Sequence, residues 1–333
     1  MRSTTDRDYL PAGAAVAGSR RTRMAAFVTR WTLRPVTNRV PTSPRGIRFC
    51  RRLVATSMNL FGPVPKGSTV EQVADGPVRG EWVRGPGART GPRVVLYIHG
   101  SAYVICSART HRGLAARLSS TTGLPVFTVD YRLAPEHPFP AAADDIEAAY
   151  RWLLRQGYPA ANIVIAGDSA GGHLAADLLI ENERTGTPQP GAMVLFSPLI
   201  DLEFELSAEV ERSRKDSMIS AAAAARLVDL YTANNVTDLP RLRLDLAQVC
   251  NFPPTLIQVG GTEMLRGDAG YLHSAVEKAG GRSQLEIWPD QMHVFQALPR
   301  LIPEASEALM RASEFISGAL DADLEHDSKE QVS

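Results

Sequence analysis

No stretch of the 333 residues approaches the ~18–20 consecutive apolar residues of a membrane-spanning helix. Cysteine is scarce. Cys50, Cys106 and Cys250 are widely spaced and odd in number, which argues against a disulfide framework or a zinc cluster and makes a reducing cytoplasm the expected setting. Net charge is lacking as well, with 36 basic side chains against 36 acidic ones. A nucleic-acid binder that works through bulk positive charge is thereby excluded. No internal repeat recurs at a fixed period. Residues 11–18 are the best candidate for a secretory apolar core. They are short, rich in small residues and preceded by Asp6 and Asp8, so no standard signal peptide is expected.

The zero conceals a split. Residues 1–60 hold 12 Arg, no Lys and only two acids, a formal +10, and residues 61–333 therefore carry −10. Residues 1–23 are polar and rich in Gly, Ala and Arg, a composition expected to be disordered. Met24, Phe27, Val28 and Trp31 recur at i, i+3, i+4 and i+7, one face of a helix. Arg23, Arg30 and Arg34 line up beside it, and Pro35 is expected to end it. Ile47, Cys50, Val54 and Met58 form a second stripe, with Arg45, Arg48 and Arg52 opposite. Packing as a cap on the acidic body is the favoured role of residues 24–62. Contact with an anionic membrane surface is the second. Nucleic-acid binding has no aromatic–basic motif behind it. Met24 is an alternative start of the chain.

From residue 70 the pattern alternates between strand and helix. The continuous apolar run at 94–98 reads as a strand buried on both faces, and 126–129, 163–166, 193–196, 255–259 and 284–288 read as further strands. Segments 109–122, 141–156, 170–183, 268–279 and 303–320 have helical spacing. Strands joined by helices imply an α/β fold, a mostly parallel sheet of about eight strands with helices on both faces. The expected core is 63–199 plus 251–320. Residues 200–250, mostly helical around 221–231, read as an insertion, and 321–333 as a disordered acidic tail.

The chemistry concentrates after these strands. Gly167-Asp168-Ser169-Ala170-Gly171-Gly172 follows one strand and opens a helix. This is the G-x-S-x-G pattern in the strand–turn–helix setting of a nucleophile elbow. A side chain at either Gly of so tight a turn would collide with its neighbours. Ser169 is left at a helix N-terminus, where developing negative charge is favoured. His99-Gly100-Ser101-Ala102-Tyr103 follows another buried strand. Its backbone N–H groups, with that of Ala170, can aim at an oxyanion.

A serine needs a base, and the base an orienting acid. Of seven His, His99 lies in the oxyanion loop. His111, His173 and His273 fall in helices, His137 in a Pro-rich loop and His326 in the tail. His293 follows the last strand and completes a Ser…acid…His order. Two carboxylates compete for the acid. Glu263 comes first after its strand and is favoured. Asp268 opens a helix, where it makes a good cap, and is the reserve. Asp168 adjoins the nucleophile and is read as structural.

With these residues and Tyr131-Arg132-Leu133-Ala134-Pro135-Glu136-His137-Pro138-Phe139-Pro140-Ala141, the chain resembles the hormone-sensitive-lipase-like α/β-hydrolases, the bacterial carboxylesterases of that lineage. The resemblance spans residues 99–295. It implies ester hydrolysis by a Ser169–Glu263–His293 triad without metal or organic cofactor, an oxyanion hole from Gly100, Ser101, Ala102 and Ala170, and a helical cap. Short- to medium-chain acyl esters are the expected substrates, as small molecules or lipids, and the chain is expected as monomer or homodimer. A lipase or phospholipase, or a deacetylase or amidase of a small metabolite, would use the same triad. A ligand receptor on this scaffold is disfavoured by the presence of His293. The sequence departs from the family in two places. Ser101 and Ala102 replace two glycines of the usual His-Gly-Gly-Gly, which removes glycine's freedom at positive φ. Glu263 stands where Asp is usual.

Overall fold

Five consecutive residues with no solvent exposure, Val94 to Ile98, form β3 (Val94–Ile98), near the middle of an eight-stranded sheet. The computed structural model describes residues 9–11, 17–40, 42–233 and 239–330, with side chains as far as 322. The other strands are β1 (Thr69–Asp75), β2 (Val78–Arg84), β4 (Val126–Val129), β5 (Ile163–Asp168), β6 (Ala192–Phe196), β7 (Thr255–Gly260) and β8 (Ser283–Trp288). Their order is β1-β2-β4-β3-β5-β6-β7-β8. From β4 to β8 every pairing is parallel, and β1 and β2 join antiparallel at one edge.

That edge hairpin is absent from the sequence reading. Its strands are joined by the tight turn Gly76-Pro77, with Asp75 opposite Val78. β1 is exposed along almost its whole length, so it shows no apolar run and no buried alternation to betray it.

Alternate residues of the buried strands feed two cores. Leu96, Ile98, Ile165, Leu195 and Ile257 face α4 (Ala141–Arg155), α5 (Ala170–Thr185) and α8 (Arg266–Lys278). Val95, Tyr97, Val164, Val194 and Leu256 face α3 (Ala108–Thr122) and α9 (Glu304–Glu330). The insertion carries α6 (Glu205–Ser213) and α7 (Ala221–Thr232). Among the described residues no helix is long and apolar enough to cross a membrane.

The N-terminal segment holds α1 (Arg20–Thr37) and α2 (Pro44–Phe61). Two expectations change here. Residues 17–23 are ordered. Ser19 caps α1, and Glu304 accepts from Ser19 N and Thr22 Oγ1 at 2.6 and 2.7 Å. Residues 1–8 and 12–16 lie outside the described residues. Pro35 does not end α1, which runs on to Thr37. Proline so near the C-terminus removes only one late backbone bond, and Asn38 N still reaches Arg34 O at 3.0 Å.

The apolar stripes of the two helices turn in different directions. α2 buries Ile47 and Cys50, as its stripe requires. α1 does the reverse and rests on the body through Thr22, Ala25, Ala26 and an Arg34–Glu211 pair at 2.9 Å, while Met24, Phe27, Val28 and Trp31 face solvent. At the other end α9 continues to Glu330, so the expected tail is helical that far. Arg93 holds Leu320 O and Asp321 there, and no Gly or Pro interrupts residues 321–330.

Candidate active site

Register brings the loops together. Ile98 pairs with Gly167, Asp168 with Phe196, and Gly260 with Trp288. The segments that follow β3, β5, β6, β7 and β8 therefore all leave the sheet at its C-terminal edge, at the crevice typical of open α/β sheets.

Ser169 sits between β5 and α5 at φ 51°, ψ −121°, a strained geometry that the surroundings must hold. They do so through Ser169 N to Phe196 O (3.1 Å), and through Gly172 N and Leu199 N to Ser169 O (2.8 and 2.9 Å). A side chain on Gly171 would run into Ile98 O, and one on Gly100 would come within 2.8 Å of Ser169 Cβ. Glycine at these positions lets the two loops touch.

His293 bridges Ser169 and Glu263. Its Nε2 lies 3.1 Å from Ser169 Oγ, and its Nδ1 lies 2.5 Å from Glu263 Oε2. A carboxylate only accepts, so the proton belongs on Nδ1, and Nε2 presents its lone pair to the hydroxyl. Burial alone would lower the imidazole pKa. The Glu263 carboxylate outweighs it, and the net displacement is above 6.5. The Glu263 carboxylate is buried, and its Oε1 accepts from Gly260 N (2.5 Å) and Ser197 Oγ (2.7 Å).

The second candidate acid is placed elsewhere. Asp268 accepts from Ile200 N and Asp201 N, both at 2.9 Å, and from Ser207 Oγ at 3.1 Å. Neither is it a helix cap, since α8 begins at Arg266 and Leu265 holds the cap position. It ties the start of the insertion to the core. Burial pushes its pKa up to about 7 against the pull of its backbone donors. Asp168 lies beneath the elbow, held by Tyr97 Oη at 2.8 Å and His111 Nε2 at 3.3 Å. Burial would raise its pKa, but His111 and Tyr97 bring it below the usual value.

Ser101, Ala102 and Tyr103 adopt φ of 77°, 53° and 64°. The loop keeps the left-handed backbone that glycines would favour, although side chains have replaced them. Ser101 Oγ is 2.8 Å from Cys106 Sγ, Ala134 N donates to Tyr103 O (3.0 Å), Tyr131 Oη to His99 O (2.8 Å) and Arg51 Nε to Val104 O (2.8 Å). Among the described residues, the backbone N–H groups of Ser101, Ala102 and Ala170 donate to no protein acceptor. His99 stacks on Tyr131 with ring centroids 4.2 Å apart. Burial, aided by His111, takes its pKa down to about 3, so it stays neutral.

The other histidines stand apart. His137 is exposed, His173 lies against Leu242 O and His273 against Ser283 Oγ, and the side chain of His326 lies outside the described residues. Among the described residues no His/Cys/Asp/Glu group is arranged to hold a metal. A cleft of about 260 Å³ beside Ile200, Leu202, Leu244 and Tyr271 touches none of Ser169, Glu263 and His293.

Two residues escape the sequence reading. Ser197, at φ 50°, donates to Glu263 and accepts from Val294 N at 3.1 Å, so it joins the acid to the His293 loop. Asp216 comes from the insertion. It is buried, accepts from Met264 N at 3.0 Å, and is shifted upward in pKa by burial. Both act across long sequence separations and carry no local motif. A Ser-Pro pair at a strand end is the only signal for the first.

A family profile for the alpha/beta hydrolase fold matches residues 95–297. An acetyl-hydrolase of Streptomyces hygroscopicus is 37% identical over 83% of this chain and 90% of its own length. The chain belongs to the hormone-sensitive-lipase-like α/β hydrolases. It is a hydrolase of carboxylic esters. The carboxylesterase/phospholipase LipF of Mycobacterium tuberculosis is 34% identical, with 92% of this chain and 83% of that protein covered. A crystal structure of an esterase from the bacterial hormone-sensitive-lipase family is 34% identical and superposes with a TM-score of 0.80 over 92% of this chain and all of that one. The esterase EstE5, soaked with p-nitrophenyl butyrate, superposes at 0.82 with 32% identity, over 91% and 99% of the two chains.

Proposed function

We propose that this α/β hydrolase cleaves short- to medium-chain acyl esters through Ser169, His293 and Glu263. The observation that carries the reading is the unbroken line Ser169 Oγ–His293–Glu263 at 3.1 and 2.5 Å. Ser169 Oγ attacks the ester carbonyl as His293 Nε2 takes its proton. Glu263 fixes the tautomer and stabilises the imidazolium. The tetrahedral oxyanion lies against the N–H groups of Ser101, Ala102 and Ala170, with Gly100 keeping the loop close. Each such donor is worth ~10²–10³ in kcat. His293 then protonates the leaving alcohol, and a water molecule activated by the same base releases the acid.

Short acyl groups are favoured by relatives named acetyl-hydrolase and ethyl acetate hydrolase. Phospholipid hydrolysis is the second reading, because LipF carries that activity in its name. The three thiols, unpaired among the described residues, are consistent with a cytoplasmic setting, which cell fractionation tests. A p-nitrophenyl ester series from C2 to C16 tests the acyl range. Ser169→Ala and His293→Ala should each lower kcat by roughly 10⁴–10⁶. Near-native turnover by either variant would sink the triad.

A further inference from the structure

The outward stripe of α1 is a large apolar surface that none of the other described segments covers. Phe27 is 61% exposed, Trp31 66% and Met24 63%. The Phe27 and Trp31 rings lean on each other, 6.4 Å apart. α2 presents Phe49 (63%) and Leu53 (40%) in the same way. The two helices share one spacing. Arg23, Phe27, Arg30 and Trp31 are matched by Arg45, Phe49, Arg52 and Leu53. In each, an arginine lies one turn before the aromatic and another one turn after it, beside the apolar stripe. All four arginines are exposed and pair with no acid among the described residues.

We infer that α1 and α2 together form a docking face for an anionic phospholipid surface. An apolar face of aromatic residues edged with arginine is what an interfacial helix needs. The rings enter the headgroup boundary, and the guanidinium groups stay at the phosphates. Charge decides between this occupant and a second copy of the chain. A two-fold contact through this face would set the same unpaired arginines against each other. An anionic bilayer satisfies them and repels the −10 body, which orients the molecule.

The face is also joined to the site. Gly18, just before α1, donates to Asp290 at 3.1 Å, three residues before His293. Arg51 of α2 donates to Val104 O behind the oxyanion loop. Docking would bring the active-site edge of the sheet toward the lipid. This last step rests on the proposed esterase reading; the docking itself does not.

The test is co-sedimentation with phosphatidylcholine vesicles with and without 30% phosphatidylglycerol, at low and high salt, using the full chain carrying Ser169→Ala so that no lipid is consumed. Binding is expected only with the anionic lipid and weakens in high salt. Adding Phe27→Ser and Trp31→Ser should cut partitioning at least tenfold. Adding Arg23→Gln, Arg30→Gln and Arg52→Gln should cut it roughly 100-fold at low salt. On the Ser169 background these same variants should hydrolyse p-nitrophenyl acetate within twofold of the unaltered chain, which shows that they fold. No binding at low salt, or equal binding by all variants, overturns the proposal. So does a dimer in sedimentation equilibrium that Phe27→Ser with Trp31→Ser dissociates, since a second copy would then be the occupant. Loss of all esterase activity in the unaltered chain would overturn the proposed reaction and leave the docking result standing.

Discussion

His293 is pulled in two directions, by burial toward the neutral form and by Glu263 toward the charged one, and Glu263 wins. In the proposed mechanism His293 must be neutral to accept the Ser169 proton. The acid limb of kcat/KM against pH should therefore turn at a value above 6.5. Glu263→Gln removes the largest raising charge and leaves burial opposed only by Asp216 and Asp168, so the limb should move to lower pH while kcat falls ~10⁴. The linkage has the opposite sign. A raised imidazole pKa contributes stability that is complete below 6.5 and lost as pH rises through the folded value. Activity should grow over the interval in which that contribution fades, as paired pH–rate and pH–melting profiles would reveal. Ser197 is the second residue to test. Its hydroxyl is one of two donors to Glu263 Oε1. Removing a bond to a charged group costs about 1.5–3 kcal/mol. Ser197→Ala should thus lower kcat about tenfold or more with little change in KM. An unchanged kcat would refute a positioning role.

Among the elements, α2 and the loop after β3 are coupled through one side chain. Arg51 donates to Val104 O, to Ala134 O and to Glu136. The Glu136 partner is half exposed, and such an ion pair contributes ~0–1 kcal/mol. The two carbonyl bonds carry the clamp. Arg51→Gln should lower both kcat/KM, by about tenfold, and the melting temperature, while Glu136→Gln should leave both nearly unchanged. Equal effects would mean that the ion pair is what matters. The loop itself is held at positive φ by side-chain-bearing residues, which costs ~1–2 kcal/mol each for an L residue. Ala102→Gly relieves that strain, set against the greater chain entropy of glycine. The net expectation is about 0.5–1 kcal/mol of added stability in denaturant titration. A loss of stability would show that the loop is not strained there.

For the molecule as a whole, stability should respond to Asp268. Its folded pKa of about 7 lies above the ordinary 3.8. The folded state therefore binds the proton more tightly, and stability is lost as pH rises from 3.8 through 7. Asp268→Asn keeps an acceptor for Ile200 N and Asp201 N and has no proton to lose. The melting temperature of the variant should gain on the native chain as pH is raised from 4 to 7. A constant difference across that range would rule out Asp268 as the titrating group. The same scale holds the charge split. Partners of the basic segment, Glu211 and Glu304, belong to the acidic part, so the +10 and −10 regions are sewn together at selected points while other arginines pair with no acid among the described residues.

The sequence by itself determined the strands that are buried on both faces, because a continuous apolar run has few other homes. It determined the elbow at Ser169, because only glycine fits against Ile98 and Pro198. It also singled out His293 and favoured Glu263 by their order after successive strands, which parallel topology converts into proximity at one edge. Tertiary structure alone decided the rest. The edge hairpin formed by β1 and β2 is pinned by its register with β4, not by an apolar pattern of its own. Asp268 and Glu263, five residues apart, were parted by which backbone N–H groups the insertion brings down. Ser197 and Asp216 took their places through contacts 66 and 48 residues distant in sequence. The outward turn of Phe27 and Trp31 was decided the same way. Helical periodicity fixes which residues share a face, but only the partners on the other side, here Glu304, Glu211 and the small Ala25 and Ala26 contacts, fix which face turns inward.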